Sequence, residues 1–141
     1  MWITREYQKT ISESVSTRPA VLVTGARQTG KTSILAHLYP DYSFVSLDLP
    51  SMAELAENEP ERFLSEFPPP VIIDEAQYAP KLFRHLKRFI DSSRFKNGQF
   101  LLTGSQKFQL MSSVGDSLAG RIDIIELETL SIKEIKNTYS D

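Results

Sequence analysis

Short apolar runs alternate along this chain with longer segments whose apolar residues recur every three to four positions. The runs are rich in β-branched and large apolar residues, have the length of strands, and cover residues 21–24, 42–48, 71–75, 99–105 and 122–127. The first longer segment, residues 4–16, places Tyr7, Ile11 and Val15 on one helical stripe. Strands that alternate with helices in this way predict an α/β fold.

Prolines and polar caps predict the boundaries of the later helices. Ser51 and Glu54 have the spacing of a capping box for a helix over residues 52–58, and Pro60 begins another helix. Pro80 begins a helix whose apolar face consists of Leu82, Phe83, Leu86, Phe89 and Ile90.

Two further helical segments are predicted in the last third of the chain. Residues 107–111 are predicted to be helical and residues 112–120 to be a flexible stretch. Ser131 and Glu134 form a second capping box, which predicts that a final helix begins there.

One segment fits the phosphate-loop (Walker A) pattern G-x-x-x-x-G-K-[ST] at every fixed position. It consists of Gly25, Ala26, Arg27, Gln28, Thr29, Gly30, Lys31 and Thr32. The segment follows the first strand and leads through Ser33 into a helix, so its backbone N–H groups and the helix dipole converge on one point. We therefore predict that residues 25–33 bind nucleotide phosphates.

Individual side chains of this loop have different predicted roles. Lys31 is predicted to reach the β and γ phosphates, and the Thr32 hydroxyl to ligate Mg²⁺. The side chains of Arg27 and Gln28 are predicted to point away from the phosphates, which leaves them packing or surface roles.

Two carboxylates stand at the end of the apolar strand 71–75. Ligands of parallel α/β sheets bind at the carboxyl ends of strands, so Asp74 and Glu75 are expected on the same rim as the phosphate loop. Asp74 is predicted to hold Mg²⁺ (Walker B), usually through water, and Glu75 to orient or deprotonate the water that attacks the γ-phosphate. Acidic residues also cap helices that follow strands, but the neighbouring phosphate loop favours the functional interpretation.

Three further polar residues are candidates for the same site. Thr103 and Ser105 end the fourth strand, where a hydroxyl can contact the γ-phosphate or the attacking water, or simply cap the next helix. Arg121 follows the predicted flexible stretch and can reach a γ-phosphate, either its own or that of a neighbouring chain. The alternative for Arg121 is a structural salt bridge.

Composition excludes several classes of protein. The 141 residues are enough for one domain, residues 1–141, and contain no cysteine, which excludes disulfides, zinc–cysteine clusters and thiol catalysis. A net charge of -2 argues against a protein that mainly wraps nucleic acid. No apolar run is long enough to span a bilayer, so we predict a soluble, cytoplasmic protein without a membrane partner.

The helix after Pro80 is locally basic, with cationic side chains at Lys81, Arg84, Lys87 and Arg88. Such a face is typically solvated, and the alternative is a patch for nucleic acid or a protein partner.

Several segments together resemble the AAA-type ATPase domain of a large group of poorly characterised prokaryotic ATPases. They are residues 25–32, 46–48, 72–77, 101–105 and 117–121. The resemblance implies a three-layer P-loop NTPase fold, with a five-stranded parallel sheet, helices on both faces and the phosphate-loop strand in its centre. It also implies that Thr103 or Ser105 occupies the polar sensor position. Ala26 stands where such proteins often have proline.

These observations predict a domain that binds ATP and Mg²⁺ and acts as a weak ATPase, serving as motor or switch for an unidentified protein partner. The alternatives are a nucleotide-gated interaction module without significant hydrolysis, a small phosphotransferase and a nucleic-acid-remodelling ATPase. Proteins of this type usually continue into a helical lid and a second domain. The expectation is therefore that this chain alone hydrolyses ATP slowly, and faster if it forms homo-oligomers.

Overall fold

A computed structural model describes residues 5–25, 30–93, 96–105 and 107–127. Its centre is a parallel sheet with the strand order β2-β3-β4-β1-β5. The strands are β1 (Ala20–Thr24), β2 (Ser43–Ser46), β3 (Val71–Asp74), β4 (Phe100–Gly104) and β5 (Ile122–Glu126). The α/β class and the five-stranded parallel sheet predicted from the sequence are confirmed.

The described helices lie between the strands in the chain. They are α1 (Arg5–Thr17), α2 (Lys31–Leu38), α3 (Pro50–Asn58), α4 (Pro60–Glu66), α5 (Leu82–Ser92) and α6 (Lys107–Ser117). A single 3₁₀ turn, Ala76–Tyr78, follows β3. Among these described helices, none is both long and apolar enough to cross a membrane.

Alternating residues of the strands point to two separate apolar layers, which is why both faces of the sheet are covered. On one face, Val21 and Ile72 pack with Ile11 of α1 and Leu35 of α2. The other face packs against α3, α4, α5 and α6, and its fully buried side chains include Leu22, Ile73, Phe63, Phe83 and Leu102. The helices on both faces agree with the prediction.

The strand that precedes the phosphate loop is buried along its whole length. All five residues of β1 are buried, because β4 and β5 pair with it on its two sides. Since every strand pair is parallel, the carboxyl ends of β1, β3 and β4 lie at one edge of the sheet. That edge carries the phosphate loop and the predicted carboxylates.

Two predicted boundaries are wrong. Helix α3 begins at Pro50, with Leu49 as its N-cap and no side chain of the described residues capping it. Because proline suits the first helical position, Ser51 falls inside the first turn and cannot act as the N-cap of a capping box.

The second wrong boundary concerns the stretch predicted to be flexible. Helix α6 continues to Ser117, because Val114 and the following Leu118 are buried in the core. Residues 112–117 are therefore helical. The capping box predicted at Ser131 and Glu134 lies outside the described residues.

Candidate nucleotide-binding site

The phosphate loop ends in a tight bend at the start of α2. Gly30 has a left-handed backbone (φ 88°), which a side chain at this position would strain. Lys31, only 6% exposed, donates a hydrogen bond from Nζ to the Gly25 carbonyl at 3.0 Å. The ammonium group thus turns back across the loop. Ala26, Arg27, Gln28 and Thr29 lie outside the described residues.

The Asp74 carboxylate, at the end of β3, is held by hydroxyl groups from three other elements. Its Oδ1 accepts hydrogen bonds from Thr32 Oγ1 on α2 and from Thr103 Oγ1 on β4, the latter at 2.7 Å. Its Oδ2 accepts a hydrogen bond from Ser46 Oγ on β2 at 2.8 Å. Both carboxylate oxygens are therefore oriented by partners that are distant in sequence.

Glu75 points in another direction because the backbone turns sharply after β3. Its φ of 56° and ψ of 53° are left-handed, a conformation that costs a non-glycine residue about 1 to 2 kcal/mol. The Glu75 N–H donates to Thr103 Oγ1 at 3.0 Å, and its carboxylate accepts a hydrogen bond from Ser105 Oγ at 3.3 Å. Glu75 is 8% exposed, so this strained turn holds a nearly buried carboxylate at the edge of the sheet.

A buried amide stands behind Glu75. Gln77 is 5% exposed and donates a hydrogen bond from Nε2 to Ser105 Oγ at 3.4 Å. Its Oε1 is buried and has no hydrogen-bond partner among the described residues. Gln77 thus contacts the same hydroxyl that contacts Glu75.

A cleft of about 310 Å³ opens beside these residues. It is lined by Gly30, Lys31, Thr32, Ser33, Asp48, Asp74 and Glu75. These residues bring three carboxylates and one ammonium group to the cleft, so a triphosphate would meet net negative charge unless a cation came with it. Among the described residues, no group of three or more His, Cys, Asp or Glu side chains is arranged to hold a metal ion by itself.

The donor atoms in the cleft fit a magnesium ion that also takes phosphate oxygens. Thr32 Oγ1 and the Asp74 carboxylate are hard oxygen ligands, and Mg²⁺ typically binds to one or two carboxylates together with phosphates and water. The Thr32 hydroxyl donates its hydrogen to Asp74, which leaves the lone pairs of its oxygen for a cation.

The structure brings six predicted site residues into this cleft, namely Gly30, Lys31, Thr32, Ser33, Asp74 and Glu75. Thr103 is fully buried and Ser105 is half-buried, and both lie behind the carboxylates rather than in the lining. Thr103 uses its hydroxyl both to donate and to accept hydrogen bonds. Direct contact between either hydroxyl and the ligand stays a prediction.

Arg121 lies at the opposite edge of the sheet, which corrects the prediction that it reaches the γ-phosphate of its own chain. The Arg121 carbonyl accepts a hydrogen bond from the N–H of Ala20, the first residue of β1. The phosphate loop lies at the other end of that strand, because it follows Thr24, the last residue of β1. A strand of this length separates the two edges by about 15 Å. Contact with a neighbouring chain stays a prediction.

The side chain of Arg121 makes a local ion pair. Its Nε and a terminal nitrogen donate to the two carboxylate oxygens of Asp91 at 2.7 and 3.0 Å, and its other terminal nitrogen donates to the Ala119 carbonyl. These hydrogen bonds lower the pKa of the Asp91 carboxyl and raise the pKa of Arg121. This geometry matches the structural salt bridge that was the alternative for Arg121.

Three residues at the site escaped the sequence interpretation. Ser46 is the last residue of β2, Asp48 lies two residues further on, and Gln77 lies two residues after Glu75. The rule that strand ends carry ligand-binding residues applies to β2 as well and could have indicated Ser46. Gln77 lies in the segment 72–77 that carries the family resemblance, but the sequence interpretation gave it no role of its own.

A family model described as an AAA domain matches residues 17–136. This chain belongs to that AAA family. Two uncharacterized mycobacterial proteins, Rv2008c of Mycobacterium tuberculosis and Mb2031c of Mycobacterium bovis, are each 32% identical to it over 126 residues. The matched region is 87% of this chain and 28% of each of those proteins, so the AAA domain spans well under half of the curated relatives' length.

Solved structures share the fold of this AAA domain. The Walker-type ATPase PABY2304 of Pyrococcus abyssi matches with a TM-score of 0.64 and 18% identity, over 91% of this chain and 54% of that one. AMPPCP-bound DnaA from Aquifex aeolicus matches with a TM-score of 0.58 and 18% identity, over 96% of this chain and 52% of that one. This AAA domain therefore has the P-loop fold of Walker-type ATPases, as predicted.

Proposed function

We propose that this AAA domain binds ATP together with Mg²⁺ and hydrolyses it. The observation that carries the proposal is the hydrogen bond from the Thr32 hydroxyl to the Asp74 carboxylate. It joins the last residue of the phosphate loop to the end of β3 beside the cleft, and the two side chains supply oxygen atoms of the kind that bind a phosphate-bound Mg²⁺.

Phosphate binding is assigned to residues 25–33. The N-terminus of α2 supplies backbone N–H groups and the positive end of a helix dipole. Lys31 adds the only positive side chain among the described residues that line the cleft. We infer that its ammonium group exchanges the Gly25 carbonyl for phosphate oxygens when ATP binds, since both are acceptors within reach of one flexible side chain.

Thr32 and Asp74 would hold the metal. When bound, Mg²⁺ would neutralise charge on the phosphate oxygens and on the leaving group. The chain's own contribution is to fix the two ligands through the contacts of Asp74 with Thr32, Thr103 and Ser46.

Glu75 is assigned the role of general base toward the attacking water. A carboxylate next to the phosphate cleft can accept a proton from water as the oxygen attacks the γ-phosphorus, and the bond to the β-phosphate oxygen breaks. The hydrogen bond from Ser105 Oγ orients the Glu75 carboxylate beside the cleft.

We further propose that hydrolysis serves as a motor or switch for a protein partner in the cytoplasm, with self-association of the chain as one route to a complete site. Lys81, just before α5, and Arg84 and Arg88 on α5 have exposed side chains, so nucleic acid is an alternative partner. DNA binding that weakens with salt and with charge reversal at Arg84 and Arg88 would support that alternative.

The test of the proposed function is nucleotide titration and turnover on the parent chain beside Lys31→Ala. Loss of a charge-assisted contact to phosphate should weaken binding of fluorescent ATP about ten- to a hundredfold. Lys81→Ala is the matched control, because that exposed lysine lies outside the cleft lining. Equal affinity in the parent and Lys31→Ala would contradict the site, whereas binding without turnover would favour the interaction module.

A further inference from the structure

We propose that Ser46, at the end of β2, is a positioning residue that sets the magnesium dependence of nucleotide binding by orienting Asp74. The inference rests on the proposed function and extends the site to a strand that the phosphate-loop motif does not include. It is carried by a hydrogen bond between these two side chains, by the strand register and by the charges of the cleft.

The register of the sheet brings the two residues together. In the parallel pair β2·β3, Ser46 is the direct partner of Asp74. A backbone hydrogen bond next to this pair also holds the register, because the Leu47 N–H donates to the Asp74 carbonyl at 2.9 Å. The Ser46 hydroxyl then donates to Asp74 Oδ2 at 2.8 Å, the usual length of an O–H···O hydrogen bond.

Ser46 contacts Oδ2 of Asp74, the carboxylate oxygen to which neither threonine hydroxyl donates. Thr32 and Thr103 both donate to Oδ1, so Ser46 is the described side chain that holds Oδ2. Without the hydrogen bond from Ser46, the Asp74 carboxylate would be held only at Oδ1 and could rotate more freely. The other two carboxylates of the cleft, Asp48 and Glu75, would repel Asp74 without an opposing hydrogen bond on Oδ2.

The same hydroxyl also shapes the turn after β2. Ser46 Oγ accepts a hydrogen bond from the Asp48 N–H at 3.2 Å, which directs the chain so that Asp48 lines the cleft. Ser46 therefore contacts the carboxylate of Asp74 and the backbone of Asp48, two of the three acidic residues there. Both carboxylates bear on how strongly the cleft attracts a divalent cation.

Ser46 is not proposed to contact phosphate, so the expected effect of replacing it differs from that of replacing Lys31. Ser46→Ala leaves Gly30, Lys31 and the start of α2 intact, so nucleotide affinity without Mg²⁺ should stay at the parent value. Partners that orient a metal ligand typically change metal affinity about 10- to 100-fold, so the half-saturating Mg²⁺ concentration should rise by about tenfold or more.

The experiment is a Mg²⁺ titration of the full chain with a fluorescent ATP analogue, with melting temperatures measured for every variant. Ser46→Thr keeps the hydroxyl in a residue suited to strands and should restore the parent curve. Ser43→Ala is the matched control, because Ser43 begins the same strand and pairs with Val71 far from the cleft. If Ser46→Ala melts at a much lower temperature, the Mg²⁺ curve of Ser46→Cys is compared with that of the parent instead. Cysteine keeps about the same volume but is only a weak hydrogen-bond donor.

A higher Mg²⁺ requirement in Ser46→Ala, with rescue by Ser46→Thr, supports the proposal. Superimposable Mg²⁺ curves for the parent and Ser46→Ala, or an equal shift in Ser43→Ala, would overturn it while leaving the proposed function standing. A parent chain that binds no nucleotide with or without Mg²⁺ would instead overturn the proposed function and this inference with it.

Discussion

The Thr103 hydroxyl connects the predicted magnesium ligand Asp74 to the backbone of Glu75: it donates to Asp74 Oδ1 at 2.7 Å and accepts a hydrogen bond from the Glu75 N–H at 3.0 Å. Thr103 is fully buried at the end of β4, so water cannot replace these bonds. It thereby fixes the Asp74 side chain and the start of the strained turn at Glu75 in one arrangement. From behind the cleft, the hydroxyl thus positions the Asp74 carboxylate and the Glu75 backbone.

Thr103→Val should impair both stability and turnover. Valine has the same shape but leaves the buried Glu75 N–H without an acceptor, which should cost about 1 to 3 kcal/mol in the free energy of unfolding. Denaturant unfolding measures that loss, and steady-state assays should show a larger fall in kcat than in nucleotide affinity. Thr103→Ser keeps the hydroxyl and is the control, so equal behaviour of the valine and serine variants would contradict the role.

Glu75→Gln should separate binding from hydrolysis. The amide keeps the shape of the side chain but cannot take the proton from water, so turnover should fall about 10²- to 10⁴-fold while Mg-ATP affinity stays close to the parent value. Asp74→Asn should instead raise the Mg²⁺ concentration that binding requires. Parent-like turnover in both variants would show that neither carboxylate has the proposed role.

Gln77→Leu should lower turnover without lowering stability. The buried amide leaves its Oε1 unpartnered among the described residues, so an apolar side chain of similar size removes a desolvation cost. It also removes the hydrogen bond to Ser105, whose hydroxyl contacts Glu75. A melting temperature at or above that of the parent, with kcat reduced about tenfold, is expected. Unchanged kcat would assign Gln77 to packing alone.

The ion pair of Asp91 and Arg121 should stabilise the fold at neutral pH and lose its effect in acid. The Arg121 hydrogen bonds lower the pKa of Asp91 in the folded state, so the stabilisation is fully present above the unfolded value of about 3.9 and is lost as the pH falls through the lower folded pKa. Asp91→Asn should therefore lower the melting temperature at pH 7, and the difference should shrink below about pH 4.

Asp116→Asn is the control for that measurement, since Asp116 is an exposed aspartate on the neighbouring α6. Arg121→Ala should lower the melting temperature as Asp91→Asn does. A loss of turnover in Arg121→Ala at an unchanged melting temperature would instead point to a role in a neighbouring chain's site.

The sequence by itself determined the elements and the phosphate-binding chemistry of this protein. The apolar periodicity of a strand or helix is a property of residues close together in the sequence. The bounds of the five strands and of most helices could therefore be predicted to within a few residues. The phosphate-loop pattern, residues 25–32, is contiguous, and the polar end of β3 is a local feature. The error at Ser51 was local too, because two valid helix starts, a capping box and a first-turn proline, overlap there.

Only the tertiary structure decided which side chains meet. Ser46 and Asp74 are neighbours because β2 and β3 pair in one register, and a shift by one residue would point the Ser46 side chain to the other face of the sheet. Arg121 lies far from the phosphate loop because β1 and β5 run parallel, which places the start of β5 at the opposite edge. Strand order and register arise from the packing of the whole core, and a local sequence pattern does not specify them.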